Sequence, residues 1–412
     1  MPDFDVIVVG GGPAGAACAR SCVQASLRTL LVERGALPRF KPCSGLVALE
    51  AERFVARTFG PIPDSCRSRS GDYTGIALHF PSVPSLFVPG LCKAANVWRH
   101  TFDQFLVEHT GAEVRDGTAF AAVEEVPEGV AVRLRTRDGR GSRVTARYLV
   151  ACDGGYSRVV RTIAPTVHDD TAWALVYQRY YRGRIDLDAG PYHSLLTRDM
   201  GIYTWVTFKD DLIIVGCGCM RGDRIGGYHA RLVDYLRGRF GFEPKESLRD
   251  EGCLGNALGP TNRFFLGQGR VLVAGEAAGF LHLGGEGISG ALETGWLAGQ
   301  AIAGASAAGD DALGKYRTAT RAERERVLDQ WSFTRLFRSF SHPLALASAF
   351  GRYPWRHYPG LARDTYRFFD QQARGSGVGA AMVHNSWQRL LTRRRYEVGQ
   401  VEVKRAGKET NA

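Results

Sequence analysis

The sequence predicts an α/β fold: a parallel sheet with covering helices, an inserted antiparallel sheet, and a helical, basic C-terminal region. Three observations carry this reading. Phe4 to Val9 is a short apolar run rich in β-branched residues. It leads through Gly10 to Gly15 into a small-residue helical stretch, Ala16 to Ala25, and then a second apolar run, Thr29 to Glu33, which makes a βαβ opening. Arg147 to Ala151 and Arg270 to Ala274 read as further buried strands. Between them lie Ala174 to Tyr180, Tyr192 to Leu196, Ile202 to Phe208 and Leu212 to Val215, of mixed polarity, which read as the inserted sheet.

The remaining elements follow in order. Arg34 to Val47 is a loop containing Pro38 and Pro42, and Leu49 to Thr58 reads as a helix. Residues 60 to 92 hold five prolines and short strand-like runs. Val97, Phe102, Phe105 and Leu106 give Asn96 to His109 a helical spacing. Val130, Val132 and Leu134 alternate ahead of a turn at Asp138-Gly139, the pattern of an antiparallel meander. Tyr228 to Phe240 is a helix, and Ile288 to Ala305 is a long helix crowded with Gly and Ala. Beyond it the pattern stays helical, interrupted at Pro343, Pro354 and Pro359.

Composition narrows the function classes. The 412 residues are 44% apolar and 23% charged, which excludes wholesale disorder. The 50 glycines have no three-residue period, which excludes collagen. Of the net charge of +11, Trp331 to Ala412 carries +9. A nearly neutral body argues against nucleic-acid binding, and the basic tail points to something anionic. Nine scattered cysteines with no CxxC pair argue against a disulfide framework or a metal site and fit a reduced, cytoplasmic setting. The N-terminus has no basic n-region, and no run approaches the ~18 apolar residues of a membrane span.

Gly10-x-Gly12-x-x-Gly15 lies between strand and helix, with Pro13 and Ala14 opening the helix. Such a turn brings a pyrophosphate onto backbone N–H groups at a helix N-terminus. Glu33, with Arg34 after it, ends the next strand 18 residues past Gly15, where a carboxylate accepts ribose hydroxyl protons. Asp153-Gly154, with Ser157 and Arg161 after it, and Gly275-Glu276 each follow a strand. These two distant segments favour FAD over NAD, since an extended FAD needs further contacts along its pyrophosphate and ribityl chain.

On these motifs the sequence resembles the FAD-dependent oxidoreductases built like para-hydroxybenzoate hydroxylase, and within them the geranylgeranyl reductase family, over residues 4 to 330. The resemblance implies an FAD-binding Rossmann-like (glutathione reductase-type) domain from residues 1–72, 94–165 and 260–330. It implies an antiparallel-sheet substrate domain from 73–93 and 166–259, leaving 331–412 as the helical, basic C-terminal region. Arg99-x-x-Phe102-Asp103 resembles an R-x-x-F-D element whose arginine lies near the flavin. Lys41-Pro42-Cys43-Ser44-Gly45 resembles a K-x-C-G-G/S-G element against the flavin. Tyr203-x-Trp205 resembles a Y-x-W-x-F-P signature of the substrate sheet, with Lys209 at the proline position. Gly284-Gly285-Glu286-Gly287-Ile288 resembles a G-E-G-I element. Glu276 stands where an aspartate is usual for the ribityl contact.

The implied activity is saturation of carbon–carbon double bonds in a prenyl or other apolar substrate by hydride from reduced flavin. Cys43 or Tyr203 would supply the proton, and Trp205 would line the pocket. Cys43 also suits simple packing, and Tyr203 with Trp205 an ordinary aromatic pair. The helix beginning near Gly287 would direct N–H groups at the negative side of the reduced ring. No second GxGxxG domain is present, so NAD(P)H would bind transiently, or an electron-donor protein would serve. The alternative is an FAD-dependent monooxygenase acting on a small apolar or aromatic molecule, and a third reading is a flavin-dependent sensor without turnover. In the tail, Phe333, Leu336, Phe337 and Phe340 alternate with Arg335 and Arg338, ahead of Arg393-Arg394-Arg395. That pattern suits either a helical cap packed on the body or peripheral contact with the anionic inner membrane face.

Overall fold

The computed structural model describes residues 1–80, 83–169, 173–195, 200–201, 203–256, 264–282, 285–308, 311–328 and 396–397. The strands are β1 (Phe4–Val9), β2 (Thr29–Val32), β3 (Leu46–Ala48), β4 (Tyr73–Phe80), β5 (Val83–Asn96), β6 (Glu113–Arg115), β7 (Thr118–Val126), β8 (Gly129–Thr136), β9 (Gly141–Ala151), β10 (Trp173–Ile185), β11 (Tyr192–Leu195), β12 (Tyr203–Lys209), β13 (Leu212–Met220), β14 (Glu243–Asn256), β15 (Gly267–Gln268), β16 (Val271–Val273) and β17 (Tyr396–Glu397). The helices are α1 (Pro13–Gln24), α2 (Leu49–Thr58), α3 (Arg99–Glu108), α4 (Arg158–Ile163), α5 (Ile225–Phe240), α6 (Ile288–Ala308) and α7 (Ala312–Ala319).

Two sheets organise the chain. The first runs β15-β16-β9-β1-β2-β6, with the β7-β8 hairpin joined to it through β9. Its centre, β16-β9-β1-β2-β6, is parallel, as the apolar runs predict. Val6, Ile7, Val8, Leu30, Leu31 and Leu149 are fully buried there, since a parallel sheet is covered on both faces. The long Gly/Ala helix α6 packs on α1, and its glycines explain how closely. A Cβ at Gly295 would stand 2.1 Å from the carbonyl oxygen of Ala14, so backbone meets backbone there.

The second sheet runs β14-β10-β13-β12-β11-β4-β5-β3 and is antiparallel except where β11 pairs with β4. The prediction of an inserted sheet holds, and the sheet takes in strands that the sequence does not suggest. β14, EPKESLRDEGCLGN, is too polar to announce itself, yet it pairs along β10 from Trp173 to Arg184. β3 also belongs to this sheet. The aromatic-basic tail and the Arg393–Arg395 cluster lie outside the described residues. Within the tail only Tyr396–Glu397 is described, as a strand on β10.

The two faces of the second sheet differ. On one, Val206, Phe208, Ile213 and Val215 pack against Leu232 and Leu236 of α5. This face also holds a buried histidine pair: His79 and His193 bond ring to ring at 2.9 Å, and His193 reaches the carbonyl of Asp188 at 2.7 Å. His79 bonds Ser85 at 2.7 Å and meets the Phe240 ring edge-on. Burial first, then His193, pushes the His79 imidazole down to about 3.

A group held neutral when folded but protonated when unfolded loses stability for the fold as pH drops below the unfolded value. His79 should therefore destabilise the native state between pH 6.5 and 3, and restore the loss as pH rises again. At pH 4.5 this is worth about 2 kcal/mol. Urea midpoints at pH 7.5 and 4.5 check it: the drop should shrink in His79→Leu relative to the wild type.

Candidate flavin site

The glycine turn sits at the carboxyl end of β1, where parallel sheets bind their ligands. Pro13 and Ala14 are the first, buried residues of α1. No side chain caps this helix and its first turn holds no acid, so its N-terminal dipole is unanswered. The space above Gly12 is open: a Cβ there would meet only Arg39, at 3.7 Å. Gly15 has no such room, its Cβ position being 1.8 Å from the carbonyl oxygen of Gly10.

Glu33 is 5% exposed at the end of β2. Its carboxylate accepts from Gly11 N–H at 2.9 Å and Gly35 N–H at 2.9 Å, and pairs with Arg39 at 3.1 Å. Arg39 then reaches Asp103 at 2.9 Å. Asp103 in turn holds Arg99 through two bonds of 2.8 and 2.9 Å, one turn back on α3. The expected Arg34 is exposed, and Arg39 is the arginine that engages the acid. Nothing in the local sequence distinguishes the two, since only the path of the Pro38 loop decides which folds back. Burial alone would push the Asp103 carboxyl up, but Arg99 and Arg39 beside it hold it below the usual range.

The two distant segments also converge here. Asp153 follows β9 and accepts from Ser157 Oγ at 2.5 Å and from the N–H groups of Arg158 and Val159 at 2.7 and 3.2 Å. It thus caps α4, and burial pushes its carboxyl up. Gly154 beside it has positive φ and open space above it. Arg161 lies over the Tyr156 ring at 4.0 Å. The Gly275 N–H bonds Thr294 on α6 at 2.9 Å. The Glu276 carboxylate lies between Gly155 and Gly255, whose Cβ positions are 2.5 and 3.6 Å from it. Gly285 has positive φ and faces open space, while Gly287 packs on Leu281. Glu286 accepts from the N–H groups of Ile288 and Ser289, both at 2.9 Å, so two of the α6 donors expected to face a flavin already have a carboxylate.

Cys43, Ser44 and Gly45 lie where these elements meet the second sheet. Gly45 N–H donates to the Cys43 sulfur at 3.3 Å, and Tyr73 donates to the Ser44 carbonyl at 2.9 Å. Arg99 and Lys209 lie within electrostatic reach of Cys43. Opposite stands the second sheet's other face. Strand alternation puts Trp205, Thr207 and Lys209 on one side of β12, and register aligns them with Gly216, Ile214 and Leu212 on β13. The Trp205 indole lies on Gly216, whose Cβ position is 2.1 Å from the ring. Gln178 and Tyr180 continue the layer onto β10, and Glu251 and Arg249 onto β14. Tyr180 donates to Glu251 at 3.0 Å, Gln178 at 3.2 Å, and Arg249 pairs with Glu251 at 2.8 Å. The side chain of Tyr203 lies outside the described residues.

The uncapped α1 turn, its open space at Gly12, the Arg39 guanidinium above it and the buried Glu33 fit a dinucleotide pyrophosphate and ribose. Comparisons with known proteins agree. Residues 5–42 and 89–176 each match a family model described as FAD binding domain. The fold is that of the FAD-dependent oxidoreductases. Protein CbrA of Escherichia coli (strain K12) is 27% identical over 305 residues, 71% of this chain and 82% of that protein. A Thermoplasma acidophilum protein described as geranylgeranyl bacteriochlorophyll reductase-like superposes with a TM-score of 0.71 at 18% identity, covering 88% of this chain and 98% of the other. The p-nitrophenol 4-monooxygenase PnpA of Pseudomonas putida DLL-E4 gives 0.64 at 16% identity, covering 89% and 97%. At such identities the solved structures speak for the fold alone. Among the described residues, no helix is long and apolar enough to cross a membrane.

Two substitutions test this site. Gly12→Ala has room in the folded chain but intrudes where a pyrophosphate must approach. It should leave the urea midpoint unchanged and weaken FAD binding at least tenfold, ~1.4 kcal/mol by titration of the apoprotein. Asp103→Ala strands the buried Arg99 guanidinium and takes one of its two carboxylates from Arg39. It should cost about 3–5 kcal/mol of stability, read from urea unfolding.

Proposed function

We propose that the chain reduces carbon–carbon double bonds of a prenyl or other apolar substrate. The observation that carries this is the Cys43 loop, which stands at the seam between the flavin-site elements and the second sheet. The chemistry that FAD would supply here, when bound and reduced, is hydride for one alkene carbon. The chain's own part is to hold the alkene against the Trp205 face, to exclude water and to give a proton to the other carbon from the half-buried Cys43. Two electrons per double bond come from NAD(P)H or an electron-donor protein. The KPCSG, YTW and GEGI likenesses support this reading, as does the fold shared with the reductase-like protein.

A specific observation favours a second reading, a monooxygenase. The sheet face is more polar than a hydrocarbon needs. Gln178 is fully buried, and its carbonyl oxygen meets no hydrogen-bond donor among the described residues. A buried acceptor of that kind suits a substrate bearing a hydroxyl or amide.

Anaerobic reduction of the purified, FAD-loaded protein followed by admission of oxygen separates the two. Slow reoxidation, with saturation of a prenyl alkene added under anaerobic conditions, is the outcome expected of the reductase. Rapid reoxidation with oxygen appearing in a product sinks it in favour of the monooxygenase. Cys43→Ala should keep the flavin spectrum and slow alkene reduction about 100-fold.

A further inference from the structure

Lys209 is 1% exposed, a fully buried amine at the end of β12. Its Nζ donates to Asn96 Oδ1 at 2.7 Å and to the Val97 carbonyl at 2.5 Å. Both partners are neutral oxygens. Asn96 is itself fixed, donating to the Phe208 carbonyl at 2.9 Å. The ammonium also lies 5.3 Å from the Trp98 ring centre. A Cβ on Gly45 would stand 2.5 Å from Nζ, so the turn that carries Cys43 rests directly on the amine. Lys209 thus joins three elements: the substrate-side sheet, the Cys43 loop and the start of α3.

A buried charge without a carboxylate partner costs stability, and a hydrocarbon side chain would fill the same space more cheaply. The position is therefore one where the charge is used. We propose that Lys209 is a positioning residue for charge at the flavin: its ammonium, held in the seam by Asn96 and Val97, stabilises the negative charge gained beside the Cys43 loop on reduction. The inference rests on the reading that this loop faces the flavin.

The groups facing the amine set its balance. Burial is the largest influence and pushes the amine down to about 7, while Cys43 and Asp210 favour its charged form and Arg99 opposes it. His100 on α3 feels the same charge and is held low, mainly by its own burial. Asp103 is committed to Arg99 and Arg39. The cation is thus present at acid pH and withdrawn as pH rises through neutrality.

The test is the two-electron midpoint potential of the FAD-loaded protein from pH 5.5 to 9. Lys209→Met should shift the equilibrium toward oxidised flavin about tenfold at pH 6, ~30 mV for a two-electron couple. The difference should shrink as pH rises. Asn96→Asp puts a carboxylate on Nζ and should move that pH dependence to higher pH, which a purely structural lysine would not do. It also serves if Lys209→Met does not fold. Bound flavin whose potential runs parallel to the wild type at every pH in both variants would overturn the role of Lys209 alone. A wild-type protein that takes up no FAD would overturn the flavin reading itself.

Discussion

Asp103 is shut off from solvent yet sits between two guanidinium groups, and much of the site hangs on that arrangement. Its two oxygens hold Arg99 bidentately and take one bond from Arg39, whose other side is on Glu33. A single buried carboxylate therefore spans the distance from the end of β2, where a ribose is expected, to the Cys43 loop, where Arg99 points. Taken pairwise, buried ion pairs add little stability over apolar packing. Their use is geometric: planar forks on a carboxylate fix direction as well as distance. Arg39 ties the Pro38 loop to the sheet edge through Glu33, alongside the bond from Leu37 N–H to Asp116 at 2.8 Å.

The second sheet shows how a period of two divides labour. Thr204, Val206 and Phe208 go to the α5 side, while Trp205, Thr207 and Lys209 go to the opposite face, on which Lys209 meets the Cys43 loop. A one-residue slip would exchange the two sets, placing a lysine in an apolar core and a phenylalanine beside Cys43. The apolar packing of α5 thus pins the register that presents Lys209. The same register runs through Gly216 to Gln178 and Glu251, so a polar layer crosses four strands without interrupting the core behind it.

What was legible in the sequence follows from range. The β1-α1-β2 opening and the Leu49–Thr58 helix are local patterns, and the structure reproduces them. Their signals, apolar runs and helical spacing, belong to the segment itself. β14 was hidden because an edge strand with a solvated face needs no apolar alternation, and its charges pair across to β10 instead, as Arg182 does with Glu246. Arg39 and Asp103 were separated by 64 residues, and their meeting is a property of the folded loop. Lys209 stood out in the sequence only as a departure from a family pattern, and its burial gave that departure a physical meaning.

The helix N-termini explain why the phosphates belong at one place. Three helices open toward the site, and each could in principle take an anion. At α4, Asp153 and Ser157 already accept three of the leading N–H groups. At α6, Glu286 accepts two. Bringing a pyrophosphate to either would set it against a carboxylate, a like-charge contact that costs more than the dipole returns. Of the three, α1 has no side-chain cap on its leading N–H groups, and Arg39 stands beside it. The chain thus closes two helix ends with its own acids and leaves the leading N–H groups of the third without one, with a guanidinium beside them, so that an anionic ligand is directed to α1.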